Sequence, residues 1–392
     1  MLFQALDNKK ECYKIFCDGS LVEDYDERVL THTWSPTFHF SNTNIEYAQI
    51  WAKGATLDEI CPENLKSRWF SATERAKTFL KTFQNAKINL DDVCFYDLLP
   101  EDFLLDFYGA KNQICKFVFE NYARPKNYDF LKDLVLLTKT IEQQDVIFDY
   151  NDIKMSSTSA RNGIKKLRGC GRKVIYNPWK AVTGRLTTEG TSFPILTLNK
   201  ELRAGIKPQN DVFVELDYNA AEIRVLLGLL DQEQPEKDIH EWINSNVFNG
   251  KYDREQTKKK VFAWLYNPEA SNKKLNQFLD RDKIYEKYFF DDHVLTPFYR
   301  RIPVDRKKAL NYLVQSTSSD MLLSSAMKIN KILKKTDSFV AFCIHDSIII
   351  DMSIKDKDLV DELTNCFSDT MFGKLKVNLS IGRNFGNMRT IL

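Results

Sequence analysis

Two aspartates stand where the sequence most needs a chemical explanation. The apolar run VFVELD ends on Asp217, and the apolar run CIHD ends on Asp346. A carboxylate at the end of a buried strand is costly unless it is paired or binds a metal. Two of them brought together would form a hard oxygen site suited to Mg²⁺. Taken singly, each is more simply a turn residue or a helix cap. A second set is Arg254, Lys258, Phe262 and Tyr266, spaced four apart, which places them on one helical stripe. Arg and Lys can hold a triphosphate as donors. Phe and Tyr can stack on a base or pack on a sugar. The same stripe also reads as a solvated basic end, with Lys259 and Lys260, merging into a core-facing aromatic end. His240, in Asp-Ile-His (238–240), precedes the stripe by a helix-compatible distance, although a lone histidine is more often structural. Asn311 and Gln315 lie four apart and are placed either to donate to base edges or to satisfy each other.

The elements that would position these groups follow from periodicity. VFVELDY (212–218) reads as a strand that runs directly into the helical AAEIRVLLGLL. FVAFCIHDSIIIDM (339–352) reads as two strands folded about a His-Asp-Ser turn, and KVNLSIG (376–382) as a further strand. Residues 306–333 form a long amphipathic helix. Asn267-Pro268 ends the helix that carries the cationic stripe. Nearer the N-terminus, CYKIFCDGSLV and HTWSPTFHF read as short strands. Ala72–Phe83 has helical spacing, as does Lys111–Gln144, where Pro125 divides the pattern in two. Ser156–Ser159 precede NGIKKLRGCGRK, a serine-capped basic stretch that suits either phosphate contact or a plain surface helix.

The chain has 392 residues, enough for two or three domains, with 43% hydrophobic and 28% charged residues. No apolar run approaches the roughly 20 residues of a membrane span, and the N-terminus does not read as a secretory signal. Eight cysteines without CxxC or Cys/His pairing argue against zinc and for reduced thiols in a cytoplasmic setting. With 56 basic and 54 acidic residues, a uniformly basic coat is excluded and a local basic surface is not.

In order along the chain, these residues resemble the polymerase region of family A DNA polymerases, the bacterial DNA polymerase I type. The resemblance covers residues 173–392. VTGRLTT (182–188) is similar to the family's Thr-Gly-Arg-Leu element, and LDYNAAEIR (216–224) to its motif A. DIH followed by RxxxKxxxFxxxY resembles motif B, and TPFYRRIP (296–303) the return to the palm. NYLVQSTSSD (311–320) resembles the primer-template helix, CIHDS (343–347) motif C, and VNLSIGRNFGNM the terminal palm strand and tail. The implied fold is α+β: a right hand with an antiparallel palm sheet, helical fingers and helical thumb, plus a small N-terminal α/β region. Its implied layout is 1–110 for the N-terminal module, 111–172 for the thumb, 173–230 and 301–392 for the palm, and 231–300 for the fingers.

The resemblance also implies roles. Asp217, Asp346 and the Tyr218 carbonyl would hold two Mg²⁺ ions. Arg254, Lys258 and His240 would grip the triphosphate of a dNTP, with Lys258 also the general acid to pyrophosphate. Phe262 would pack on the incoming sugar and base, and Tyr266 would close the site near the templating base. Glu222 would be the steric gate against a 2′-OH, hydrogen-bonded to Tyr266. Arg185, Asn311 and Gln315 would line the minor groove of primer-template DNA, and His345 would contact the primer end. The expected protein is a monomer that works in replication with a separate exonuclease, helicase-primase or processivity factor.

The chain departs from the family pattern at Ser347, where a third carboxylate is usual, at Asn267 in place of glycine, and at Ala220 in place of glutamine. The short intervals from Asp217 to Arg254 and from Phe262 to His345 imply trimmed fingers. In the first 110 residues only IFCDGSL, with Asp18 and Ser20, approaches an exonuclease opening. The region therefore reads as lacking proofreading, either a degenerate nuclease or an unrelated module, as in bacteriophage forms whose nuclease is a separate polypeptide. Three rival readings are a single-subunit RNA polymerase, an inactive replisome scaffold, and an HD-type phosphohydrolase suggested by His345-Asp346. Five histidines make the last a poor fit.

Overall fold

A computed structural model describes residues 15–17, 19–23, 46–90, 93–151, 153, 157–267, 269–270 and 272–391. The chain divides into two compact units, Met1–Thr140 and Ile141–Leu392.

In the first unit, strands β1 (Ile15–Cys17) and β2 (Ser20–Val22) pair antiparallel. Helices α1 (Tyr47–Trp51), α2 (Leu57–Ile60), α3 (Glu63–Asn85) and α4 (Glu101–Asn121) follow, and α5 (Tyr128–Glu142) runs across the division. A Thr56/Glu59 capping box starts α2. Phe103, Tyr108, Ile114 and Val118 line the buried face of α4 and share one hydrophobic cluster with Trp69 of α3, whose ring meets Phe107 at 5.3 Å. The helical spacing at Ala72–Phe83 and the break near Pro125 are both present, but α4 begins well before Lys111 and passes through the boundary expected at residue 110. The division at 140/141 falls inside the range assigned to a thumb. Asp18 and the expected strand HTWSPTFHF lie outside the described residues.

The second unit opens with β3 (Ile147–Phe148), α6 (Thr158–Leu167), β4 (Tyr176–Asn177), β5 (Thr187–Thr188) and β6 (Ile206–Lys207). Ser157 caps α6, accepting from the Ala160 N–H at 3.1 Å; Ser156 is outside the described residues. Next come β7 (Val212–Tyr218), α7 (Ala221–Leu229), α8 (Ile239–Asn246), α9 (Arg254–Tyr266), α10 (Lys273–Phe278) and α11 (Arg281–Tyr288). A small sheet of β8 (Phe289–Phe290), β9 (His293–Leu295) and β10 (Arg301–Pro303) leads to α12 (Arg306–Leu333). The chain closes with β11 (Phe339–Ile344), β12 (Ser347–Met352), α13 (Val360–Ser368), β13 (Asp369–Thr370), β14 (Gly373–Lys374), β15 (Val377–Gly382) and β16 (Arg389–Thr390).

The main sheet has the order β11-β12-β7-β15-β16 and is antiparallel throughout. Alternation along β7 sorts its two faces. Val214, Leu216 and Tyr218 are buried toward α12 and α13; the Tyr218 ring stacks on Phe367 at 4.0 Å, and its hydroxyl donates to the Phe367 carbonyl. Phe213, Glu215 and Asp217 occupy the other face. There Phe213 meets Phe342, which meets Phe385, at 6.0 and 5.1 Å. The mixed α+β class and the antiparallel sheet are as expected. Among the described residues no helix is long and apolar enough to cross a membrane. Cys61, Cys115, Cys170, Cys343 and Cys366 are free thiols. Cys94 is disulfide-bonded, which corrects the expectation of reduced thiols throughout.

Candidate active site

The sheet register brings the two strand-end aspartates to one edge. Asp217 pairs across the ladder with Ser347, the first residue of β12, so the His345-Asp346 turn sits beside it. The Tyr218 N–H donates to the Asp346 carbonyl at 3.4 Å. On the other flank, Asn378 of β15 faces Asp217 and donates from Nδ2 to Oδ2 at 3.1 Å. His345 is exposed with φ +52°, in a two-residue hairpin turn where glycine is the usual choice. The imidazole is thereby held outward beside Asp346.

Burial pushes the Asp217 carboxyl up to about 6; the Asn378 bond opposes this, while the charges of Glu215 and Asp346 add to it. Asp346 is also raised by burial, against the pull of Arg185 and His345. Among the described residues no three His, Cys, Asp or Glu side chains form a ready metal cage. The donor set still fits Mg²⁺: it is all oxygen, half-buried and negatively charged, and Mg²⁺ is commonly held by one or two carboxylates, with water and phosphate completing its shell. The Tyr218 side chain is on the far face, so only its backbone can serve this site.

Helix α9 carries the cationic stripe. It starts on a capping box between Asp253 and Gln256, and Asn267 leaves the helical region ahead of proline. Arg254 donates twice to Asp238 Oδ2, at 3.2 and 3.0 Å. Lys258 is exposed, and its charge reaches His240. Phe262 lies between His240, 6.1 Å away, and Tyr266, on which it stacks at 5.8 Å. His240 is buried, and desolvation with help from Arg254 and Lys258 lowers it to about 4. It therefore offers a neutral ring rather than a charge, and its Nδ1 has no partner.

The stripe ends at the carboxylate face. The Tyr266 hydroxyl donates to Glu222 Oε2, and Arg185 donates to Glu222 Oε1 at 2.9 Å. Glu222 is raised by burial, against the bonds from Tyr266 and Arg185. Gln315 reaches Tyr266 and also donates to Asn311 Oδ1 at 2.6 Å. Arg185, Glu222, Tyr266, Ser319, His345 and Asp346 line a cleft of about 370 Å³. Arg185 follows Gly184, whose φ of +74° and closeness to the Arg300 guanidinium exclude a side chain.

Three residues escaped the sequence reading. Asp238 caps α8, accepting from the His240 and Glu241 N–H groups at 3.0 and 3.2 Å, and also accepts from Asn219 at 3.1 Å. Burial alone would raise its carboxyl, but the bonds from Asn219, Arg254 and the Glu241 backbone prevail and lower it to about 2. Arg224 is fully buried and donates to the carbonyls of Asn219, Pro235 and Lys237 at 2.8 to 3.0 Å. Its signal was a lone cation inside an apolar helix, which had to be paired. Glu215 shares the Asp217 face of β7, two residues back.

No protein-family model matches the chain, and no curated protein matches it. Among solved structures, the chain is similar to the polymerase domain of Pol1 from M. smegmatis in complex with DNA primer-template and dNTP. Sequence identity is 13%, the TM-score is 0.44, and the match covers 79% of this chain. The chain spans 56% of that structure's length.

Proposed function

We propose that this protein is a template-directed DNA polymerase that adds dNTPs to a primer 3′-OH. One observation carries the reading. Helix α9, which carries Arg254, Lys258 and Phe262, ends on Tyr266, whose hydroxyl bonds Glu222 on the helix after Asp217, and Tyr266, Glu222, Arg185 and Asp346 line one cleft.

Asp217, Asp346 and the Tyr218 carbonyl would hold two Mg²⁺ ions, whose charge would favour the 3′-alkoxide and the departing pyrophosphate. Arg254 and Lys258 bind the triphosphate, and His240 supplies a neutral N–H beside them. Lys258 gives its ammonium proton to the leaving pyrophosphate oxygen. Phe262 packs on the incoming sugar and base. Glu222, fixed by Tyr266 and Arg185, occupies the space that a 2′-OH would need. Arg185, Gln315 and Asn311 read the minor groove, and His345 meets the primer end. In this reading 173–230 and 301–392 form the palm, 231–300 the fingers and 111–172 the thumb. The enzyme is of the family A type, acts in bacteriophage-like replication and lacks proofreading.

The test is a 5′-labelled primer annealed to a longer template, with Mg²⁺, incubated with and without dNTPs. Extension with dNTPs and no shortening without them is expected, and Asp346→Ala should extend nothing while still binding the duplex. Wild-type-like extension by Asp346→Ala, or primer shortening without dNTPs, would overturn the corresponding part of the reading. Offering rNTPs in place of dNTPs separates it from an RNA polymerase.

A further inference from the structure

We propose that Glu215 is the third carboxylate of the cation site, acting through the water shell of the ions rather than as a direct ligand. The inference rests on the polymerase reading above and extends it to a residue that no motif includes.

Glu215 and Asp217 are alternate residues of β7, so both side chains leave the same face of the sheet. Ser347 lies directly opposite Asp217, and Ile349 opposite Glu215, which makes Ser347 the diagonal neighbour of Glu215 on that face. Such diagonal neighbours stand about 7–8 Å apart, within reach of a glutamate. The Ser347 hydroxyl donates to the Ile344 carbonyl at 3.1 Å and also contacts the Glu215 carboxylate. The position where the resemblance expects an acidic side chain thus holds a hydroxyl, and a carboxylate stands one row further along the same face.

The surroundings of Glu215 do not explain it as a structural charge. It is half-buried, and the other residues of β7 up to Leu216 are apolar. Ser380, opposite it on β15, has its hydroxyl bonded to Thr390 at 3.1 Å. Arg203 attracts it only through space. A half-buried carboxylate in that setting costs stability, and a β-branched residue would suit the strand better. Two divalent ions present more positive charge than Asp217 and Asp346 can balance. Mg²⁺ dehydrates reluctantly and keeps several waters. A carboxylate one row behind the primary pair can orient that water and complete the charge without joining the first shell, and among the described residues no three such side chains form a cage.

The test measures Mn²⁺ binding to the DNA-free full chain by electron paramagnetic resonance, and the Mg²⁺ dependence of primer extension. Glu215→Gln is expected to weaken Mn²⁺ binding about tenfold, the scale of outer-shell substitutions. It should raise the Mg²⁺ concentration for half-maximal extension similarly, with the rate at saturating Mg²⁺ nearly kept. Adding Ser347→Glu to that variant should restore both midpoints. A folded Glu215→Gln with unchanged midpoints would overturn the proposal, as would a loss that Ser347→Glu does not repair. Should Glu215→Gln fail to fold, Ser347→Glu alone decides: tighter Mn²⁺ binding supports the proposal and unchanged binding overturns it. A wild-type chain that binds Mn²⁺ but never extends primers would sink the polymerase reading instead, while the Mn²⁺ comparison still decides the role of Glu215.

Discussion

Asp217→Asn should make the metal-free protein more stable while it abolishes nucleotide addition. In the folded protein the Asp217 carboxyl is raised from the ordinary 3.8 to about 6, first by burial and further by the charges of Glu215 and Asp346. At roughly 1.4 kcal/mol per pH unit, that rise corresponds to about 3 kcal/mol. The sign follows from linkage: a carboxylate whose folded value is raised penalises the folded state once ionised. The penalty is absent below pH 3.8, grows between there and about pH 6, and is complete above it. Asparagine removes the charge and keeps an oxygen to accept the Asn378 bond, so the variant escapes the penalty without losing its partner.

Thermal melts in EDTA at pH 8 and pH 4 test this. For a unit of this size, about 3 kcal/mol is about 6–12 °C in Tm. The variant should melt higher than wild type by that order at pH 8 and equally at pH 4. Mg²⁺ should raise the wild-type Tm and leave the variant unmoved. If Asp217 were instead a turn or cap residue, the variant would be less stable, or its difference from wild type would not change with pH. Either result would refute the carboxylate-site reasoning, whatever the polymerase assay showed.

Three further outcomes are expected. Glu222→Ala should raise rNTP incorporation relative to dNTP by about ten- to a hundredfold, measured as the ratio of kcat/KM values; an unchanged ratio would remove the steric-gate role. Asp238→Ala should cost about 1 kcal/mol through the lost α8 cap and raise the KM for dNTP by releasing Arg254, read by melting and by steady-state extension. Tyr176→Phe should cost about 2–3 kcal/mol in urea unfolding and slow extension. The Tyr176 hydroxyl donates to the Cys343 carbonyl at 2.5 Å and accepts from the Cys343 N–H at 3.1 Å, and β11 is the edge strand that delivers the His345-Asp346 turn.

What the sequence made legible was local. The apolar strand 212–218, the four-spaced stripe of helix 254–266 with its stop at Asn267-Pro268, and the long helix 306–333 could each be read from residues close together in the chain. The strand-end aspartates stood out because charge at the end of an apolar run demands a reason. The boundary placed at residue 110 came from the family layout, and α4 (Glu101–Asn121) runs continuously through it, with Phe103, Leu104, Tyr108, Ile114 and Val118 buried along one helix. What stayed hidden depends on contacts far apart in the chain. Tyr176 and Cys343 are 167 residues apart, and no spacing rule joins them. Arg224 could be recognised as needing acceptors, but not which carbonyls would turn toward it. Glu215 shows the difference most plainly. Alternation put it on the face of Asp217 from the start, but an acidic residue in a strand has many uses. Only the pairing of β12 with β7 sets Ser347 opposite Asp217 and diagonal to Glu215, giving the alternating Glu-Leu-Asp a shared neighbour across the ladder. Register is specified by both strands at once, so chemistry built across a ladder becomes visible only when the partner strand is in place.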